Sequence, residues 1–149
     1  MPTVTRTAES PAPLHVVRDY LRDFANAEQW DAGTKTCTPV DDTVPVGVGK
    51  QWHNVSVFRG RETSLTYTLE TDEADHLRIV GRNKTVTSED DMRLEPIGTG
   101  TRVTYTARFT FHGAAKLATP LLVPALGSLA ADAQKSLSDA LQTLSPRGT

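Results

Sequence analysis

The spacing of apolar and polar residues changes period twice along the chain. Val16, Val17, Tyr20, Leu21 and Phe24 recur at helical intervals with Arg18, Asp19 and Arg22 opposite, which predicts a helix with one buried face. Proline disfavours the helical region for the residue before it, so Ser10-Pro11-Ala12-Pro13 bars an earlier start, and Pro13 suits the first helical position. Asp23 to Trp30 predicts a second short helix after a bend. Ahead of both, the β-branched Thr3 to Glu9 predicts an edge strand. Behind them come a threonine-rich segment, Thr34 to Thr38, and a proline- and glycine-marked loop, Pro39 to Gly49.

From Lys50 to His112 the period is two. Leu65, Tyr67 and Leu69 alternate with Thr66, Thr68 and Glu70; Leu77 and Ile79 alternate with Arg78 and Val80. Val103, Tyr105, Ala107, Phe109 and Phe111 alternate with Thr104, Thr106, Arg108 and Thr110. One apolar and one solvated face is the pattern of an antiparallel sheet covered on one side. Breaks at Arg59-Gly60, Asp72 to Asp75, Arg82-Asn83 and Gly98-Thr99-Gly100 are hairpin signals, so neighbouring strands pair in sequence order. After Gly113 the helical period returns. Leu122, Leu126, Leu129, Ala133, Leu137, Ala140, Leu141 and Leu144 form a stripe with Asp132, Lys135, Asp139 and Gln142 opposite, and the sheet's apolar face is the partner for that stripe. Residues from about Lys116 to Leu144 are therefore expected to be helical across the concave face. Pro120 and Pro124 should kink or split the first half. The expectation is an α+β fold in one domain over residues 1–149, with two short helices after the first strand. An antiparallel sheet of about seven strands curves around one long C-terminal helix.

Strand pairing selects the polar residues that share the apolar face. A two-residue turn at Arg59-Gly60 pairs Phe58 with Arg61, Trp52 with Tyr67 and Asn54 with Leu65, so Trp52, Asn54 and Ser56 face inward and His53 outward. A one-residue slip would bring His53 in instead of Asn54. A turn at Gly98-Thr99 pairs Ile97 with Gly100, Leu94 with Val103, Met92 with Tyr105, Asp90 with Ala107 and Ser88 with Phe109. No histidine or arginine is placed inside. Mostly apolar walls with a few polar groups are the composition of a ligand pocket. The expected lining is Trp52, Asn54, Tyr67, Leu69, Ile79, Asp90, Met92, Tyr105, Phe109, Leu122 and Leu126, with an entrance near the start of the last helix, where Pro120, Pro124 and Gly127 loosen it. Asp90, Tyr67 and Tyr105 are the candidates for catalysis.

Composition narrows the field. With 149 residues, 38% hydrophobic and 23% charged, the chain reads as one soluble globular domain. Lys+Arg 16 against Asp+Glu 18, interspersed, give −2, without the concentrated basic face that a nucleic acid requires. The apolar stretch from Leu117 to Ala131 is too short and too interrupted to span a membrane. Cys37 is the one cysteine and has no internal disulfide partner. With no signal peptide read at the start, the expected location is the cytoplasm. Several motifs fail. Gly47-Val48-Gly49-Lys50 has Val44 where a phosphate loop needs its first glycine, and Gln51 where it needs Ser or Thr. There is no Gly-x-Ser-x-Gly for a hydrolase elbow. His15, His53, His76 and His112 are dispersed, so neither a metal nor a cofactor is expected.

Three stretches carry a family resemblance. They are the proline-started helix with Asp23-Phe24, Asn26 and Trp30-Asp31; Pro45-Val46-Gly47-Val48-Gly49 followed by Trp52; and Gly98-Thr99-Gly100-Thr101-Arg102-Val103-Thr104-Tyr105. Together they resemble the helix-grip fold of the START and birch-pollen-allergen (SRPBCC) superfamily, in its polyketide cyclase/dehydrase-like branch. Members of that group include lipid carriers, ligand sensors, aromatases and cyclases, so the resemblance implies a fold and leaves the activity open. Three functions follow as alternatives. One is a carrier or sensor that binds a small hydrophobic or aromatic ligand, such as a lipid, polyketide or isoprenoid. Another is a cyclase or dehydratase using the same cavity. The third is an interaction domain with a filled core. A small hydrophobic molecule is the expected partner, and neither nucleic acid nor an integral membrane segment is.

Overall fold

The computed structural model describes residues 3–58 and 60–145, and of Phe58 and residues 118–130 the backbone alone. Strand β1 (Thr3–Ser10) leads into helix α1 (Leu14–Arg22), a 3-10 turn (Phe24–Asn26) and the short helix α2 (Ala27–Trp30). Strands β2 (Thr34–Pro39), β3 (Gln51–Phe58), β4 (Arg61–Asp72), β5 (His76–Arg82), β6 (Val86–Ile97) and β7 (Gly100–Phe111) follow. A second 3-10 turn (Gly113–Ala118) leads into helix α3 (Thr119–Gln142). The sheet is seven-stranded, in the order β1-β7-β6-β5-β4-β3-β2. Every pairing is antiparallel.

Local chemistry accounts for the ends of these elements. Pro13 is the cap of α1 rather than its first helical residue: its backbone is extended, and its carbonyl accepts from Val16 N and Val17 N. Asp23 caps the first 3-10 turn by accepting from Ala25 N at 3.2 Å. The threonine-rich segment is β2, an edge strand whose β-branched residues suit a pleated surface. Gly98 turns the β6–β7 hairpin at φ 57°, a backbone conformation that glycine adopts without a Cβ penalty. The helical run of residues 119–142 is unbroken, so the split expected at Pro120 and Pro124 is corrected; the 3-10 turn ahead of it contains neither proline. Pro120 falls in the first turn of α3, where its missing N–H would have no helical partner in any case.

The register follows from the turns. Phe58 pairs with Arg61, Trp52 with Tyr67 and Asn54 with Leu65, so His53 faces outward and is exposed. In the last hairpin Met92 pairs with Tyr105, Asp90 with Ala107 and Ser88 with Phe109. The inward face meets three helical covers. Val17 and Leu21 of α1 are fully buried, and α1 is tied to the far end of β4 by Arg18 and Arg22, which bind Asp72 at 2.8 and 2.6 Å. Phe24 sits edge-on to Trp30 and Trp52 and tilted on Tyr67, with ring centres 4.5 Å apart in the last case. Helix α3 lies against β1 and α2. It is fastened by Ser10 Oγ donating to Leu141 O, Gln134 Nε2 to Thr7 O and Gln142 Nε2 to Glu9 O. Leu137 and Leu141 are its buried residues among those described.

Candidate functional site

The inward face is packed at one end and hollow at the other. Leu69, Leu77, Ile79, Met92 and Val103 have no exposed surface, and each such side chain contributes about 1.5–3 kcal/mol of apolar burial. Nearer the β3–β4 and β5–β6 turns the same strands line a cavity of about 460 Å³. Its sheet wall is built from Leu65 and Tyr67 of β4, Val86, Ser88 and Asp90 of β6, and Tyr105, Ala107, Phe109 and Phe111 of β7. Trp30 and Asp31 at the end of α2, and Ala133, Gln134 and Leu137 of α3, face them. Along β6 the side chains pass from half-buried Val86 to buried Ser88 and Asp90. Four residues of strand at about 3.3 Å each put Asp90 about 13 Å inside the rim. Val57, Arg61 and Thr85 are exposed at that rim, and Ala115 of the second 3-10 turn joins them.

Two tyrosines mark the inner end, and both reach toward β6. Tyr105 comes from β7 and donates its hydroxyl to Asp90 Oδ1 at 2.9 Å. Tyr67 comes from β4 and lies across β5 because Gly81, its cross-strand partner, has no side chain. A Cβ at Gly81 would stand 2.6 Å from the Tyr67 ring, closer than any real contact. Burial pushes the Asp90 carboxyl up to about 7. The Tyr105 hydroxyl opposes that rise, and the negative charge of Asp31 adds to it. Burial, reinforced by the charge on Asp90, also drives both tyrosine hydroxyls well above the usual phenol value. Asp31 is raised by burial too, although Thr34 Oγ1 at 2.8 Å and Gly33 N at 3.1 Å donate to it. A carboxyl that titrates near neutrality beside a fixed hydroxyl can accept or donate a proton to whatever occupies the cavity.

Of the residues expected on the wall, Tyr67, Asp90, Tyr105 and Phe109 line the cavity. Leu122 and Leu126 lie outside the described side chains. Five others are corrected. Leu69, Ile79 and Met92 share the inward face but belong to its packed end, where α1 and its neighbours leave no space. Trp52 is fully buried against Phe24, with the Lys50 ammonium 6.0 Å from its ring centre. Asn54 is sealed by its own bonds, donating to Thr34 Oγ1 at 3.2 Å and accepting from Ser56 Oγ at 2.6 Å. The expectation of no inward arginine is also corrected, since half-buried Arg6 of β1 and exposed Arg61 both line the cavity.

Asp31 is the site residue that pattern reading passed over. It follows Trp30 at the end of α2, where its turn-forming Asp-x-Gly-Thr context hides a second role. The lysine of the Gly47-Val48-Gly49-Lys50 segment is spent on its own loop, with its ammonium donating to the carbonyls of Val44 and Asp41. Cys37 is buried and its thiol is pushed up to about 12 by burial, so it carries no thiolate near neutrality.

Solved structures share this architecture. A protein from Thermus thermophilus superposes with a TM-score of 0.75 at 19% identity, over 94% of this chain and 97% of its own. A START superfamily protein from Mycobacterium smegmatis gives 0.74 at 14% identity, over 93% of this chain and 96% of its own. The Zhui aromatase/cyclase from Streptomyces gives 0.73 at 14% identity, over 93% of this chain and 90% of its own. At these identities the likeness is one of fold. No curated protein matches the chain in sequence. The family described as polyketide cyclase/dehydrase and lipid transport matches residues 1–145, and with the helix-grip sheet and its cavity in place, the chain belongs to that family.

Proposed function

We propose that the chain works as a single helix-grip unit that holds one small apolar or aromatic molecule between sheet and C-terminal helix, as a carrier or sensor. The observation that carries this reading is the cavity: about 460 Å³, walled by Trp30, Leu65, Phe109, Phe111 and Leu137, with Asp90 and two tyrosines at its inner end. Its size and its balance of apolar wall to fixed polar groups suit a ligand of one to three fused rings or a short acyl chain. The entrance lies by the 3-10 turn that precedes α3, so this turn is the proposed gate. The proposed setting is the cytoplasm, and the free Cys37 is in keeping with a reducing compartment.

A second reading, a cyclase or dehydratase, is favoured by one specific observation. Asp90 titrates at about 7 and is hydrogen-bonded to Tyr105 on the cavity wall. Fold neighbours described as aromatase/cyclases keep that reading in play. The test of both is to purify the protein natively, extract it and identify bound small molecules by mass spectrometry, then incubate the recovered compound with fresh protein. A stoichiometric apolar compound returned unchanged supports the carrier. Conversion that Asp90→Asn abolishes supports the enzyme. A folded protein that neither retains nor rebinds any apolar compound removes both readings.

A further inference from the structure

We infer that the molecule held in this cavity carries a protonated amine on an apolar or aromatic body, with the amine at the inner end on Asp90. The inference rests on the cavity being a ligand site and adds the chemistry of the ligand's buried end. Asp90 is only 4% exposed and lines the cavity. Its Oδ1 accepts from Tyr105, while its Oδ2 has no partner among the described residues. A carboxylate oxygen facing an apolar cavity calls for a donor from the occupant, because a buried acceptor left unpaired is costly.

The surrounding charges select the kind of donor. The titratable and charged groups described on the cavity walls are Asp31, Asp90, Tyr67, Tyr105, Arg6 and Arg61. The two carboxylates reinforce each other's negative potential, as the effect of Asp31 on Asp90 shows. Arg61 is exposed at the β3–β4 turn, and Arg6, the cross-strand partner of Tyr105, is half-buried on the edge strand with Nη1 donating to Thr5 O; the charge that acts on Asp90 is that of Asp31. Asp31 already accepts from Gly33 and Thr34, which leaves Asp90 as the docking oxygen. Trp30 and Tyr105, edge-to-face with ring centres 5.8 Å apart, line the inner wall together with Tyr67. Aromatic faces and a carboxylate around one point attract an ammonium, whereas a carboxylate ligand would meet like charge there.

The test uses naphthalene probes of one shape: 2-naphthylethylamine, 2-naphthylethanol, 2-naphthylacetic acid and 2-ethylnaphthalene, titrated by calorimetry at pH 8. The amine should bind at least about tenfold more tightly than the alcohol, and the acid most weakly, because charge-assisted hydrogen bonds are roughly twice as strong as neutral ones. Asp90→Asn should shrink the amine's advantage over the alcohol to under twofold. In the unmutated protein, amine affinity should rise as pH passes upward through about 7, while alcohol affinity stays flat. This readout stands even if the variant folds poorly. An acid that binds as tightly as the amine overturns the inference, and so does an amine preference that survives Asp90→Asn or is flat with pH. If ethylnaphthalene binds and the amine gains nothing over it, the inference alone falls. If no probe binds folded protein, the ligand-site reading falls with it.

Discussion

The two ends of the inward sheet face are made by the same strands and differ in what stands on them. At the packed end the inward positions are Leu69, Leu77, Ile79, Met92, Leu94 and Val103, large residues beneath α1 and Phe24. At the hollow end they are Ser56, Gly81, Ser88 and Ala107 between aromatic rings, facing Ala133 of α3. Alternation says which face is inward. Side-chain volume along that face says where the protein fills itself and where it leaves room for something else.

That contrast can be broken at either end. The largest effect should come from the packed end. Leu77→Ala should cost about 2–5 kcal/mol in urea unfolding, because the removed atoms leave a void, and Phe109→Ala should cost clearly less, because Phe109 already borders one. Equal losses would erase the distinction.

Next comes pH. The Asp90 carboxyl is raised in the folded state, so its contribution to stability is whole below the ordinary carboxylate range near 4 and is lost as pH rises through about 7. A tenfold change in proton affinity is worth roughly 1.4 kcal/mol, so Asp90→Asn should gain on the unmutated protein by on the order of 3 kcal/mol between pH 4 and 8. Parallel stability curves for the two proteins would place Asp90 in water.

Asp72 has the opposite sign. Hydrogen bonding and charge from Arg22, then charge from Arg18, hold its carboxyl below the usual range. Its contribution is present above that range and is lost as pH falls. Asp72→Asn should therefore cost about 1–3 kcal/mol at pH 7, with the difference fading in acid, as α1 loses its clamp on β4. Ligand affinity should move little, since this clamp serves the packed end.

The smallest expected change in stability is at Gly81. An added methyl must push the Tyr67 ring off β5 and into the cavity, so Gly81→Ala should cost about 1–2 kcal/mol. Binding of a naphthalene probe should weaken by about tenfold or more, since 1.4 kcal/mol is one decade. Restored binding in Gly81→Ala with Tyr67→Leu would tie the loss to the displaced ring.

Much of this was legible in the sequence because short hairpins fix register. The turns at residues 59–60 and 98–99 placed Trp52 against Tyr67 and Met92 against Tyr105, and the structure has those pairs. Where the cavity stops along the strands was not legible, because it depends on which helix covers which row. Leu69, Ile79 and Met92 have the right face and the wrong end for that reason. Asn54 reads as a pocket amide until Thr34 of the neighbouring strand β2 and Ser56 of its own strand satisfy it. Asp31 is brought to the same cavity as Asp90 by the placement of α2, a long-range arrangement that local spacing does not encode. The small residues Gly81, Ser88 and Ala107 were the available signal for the hollow end.

The central claim is that the hollow end receives an apolar ligand, and the two tryptophans allow it to be tested directly. Trp30 lines the cavity and Trp52 is buried in the packed core. Titration with 2-bromonaphthalene, whose heavy atom quenches only at contact, should saturate and quench Trp30 emission in the Trp52→Phe protein. Trp52 emission in the Trp30→Phe protein should stay nearly unchanged. Absent or non-saturating quenching of Trp30, or equal quenching of both tryptophans, in folded protein would contradict the account.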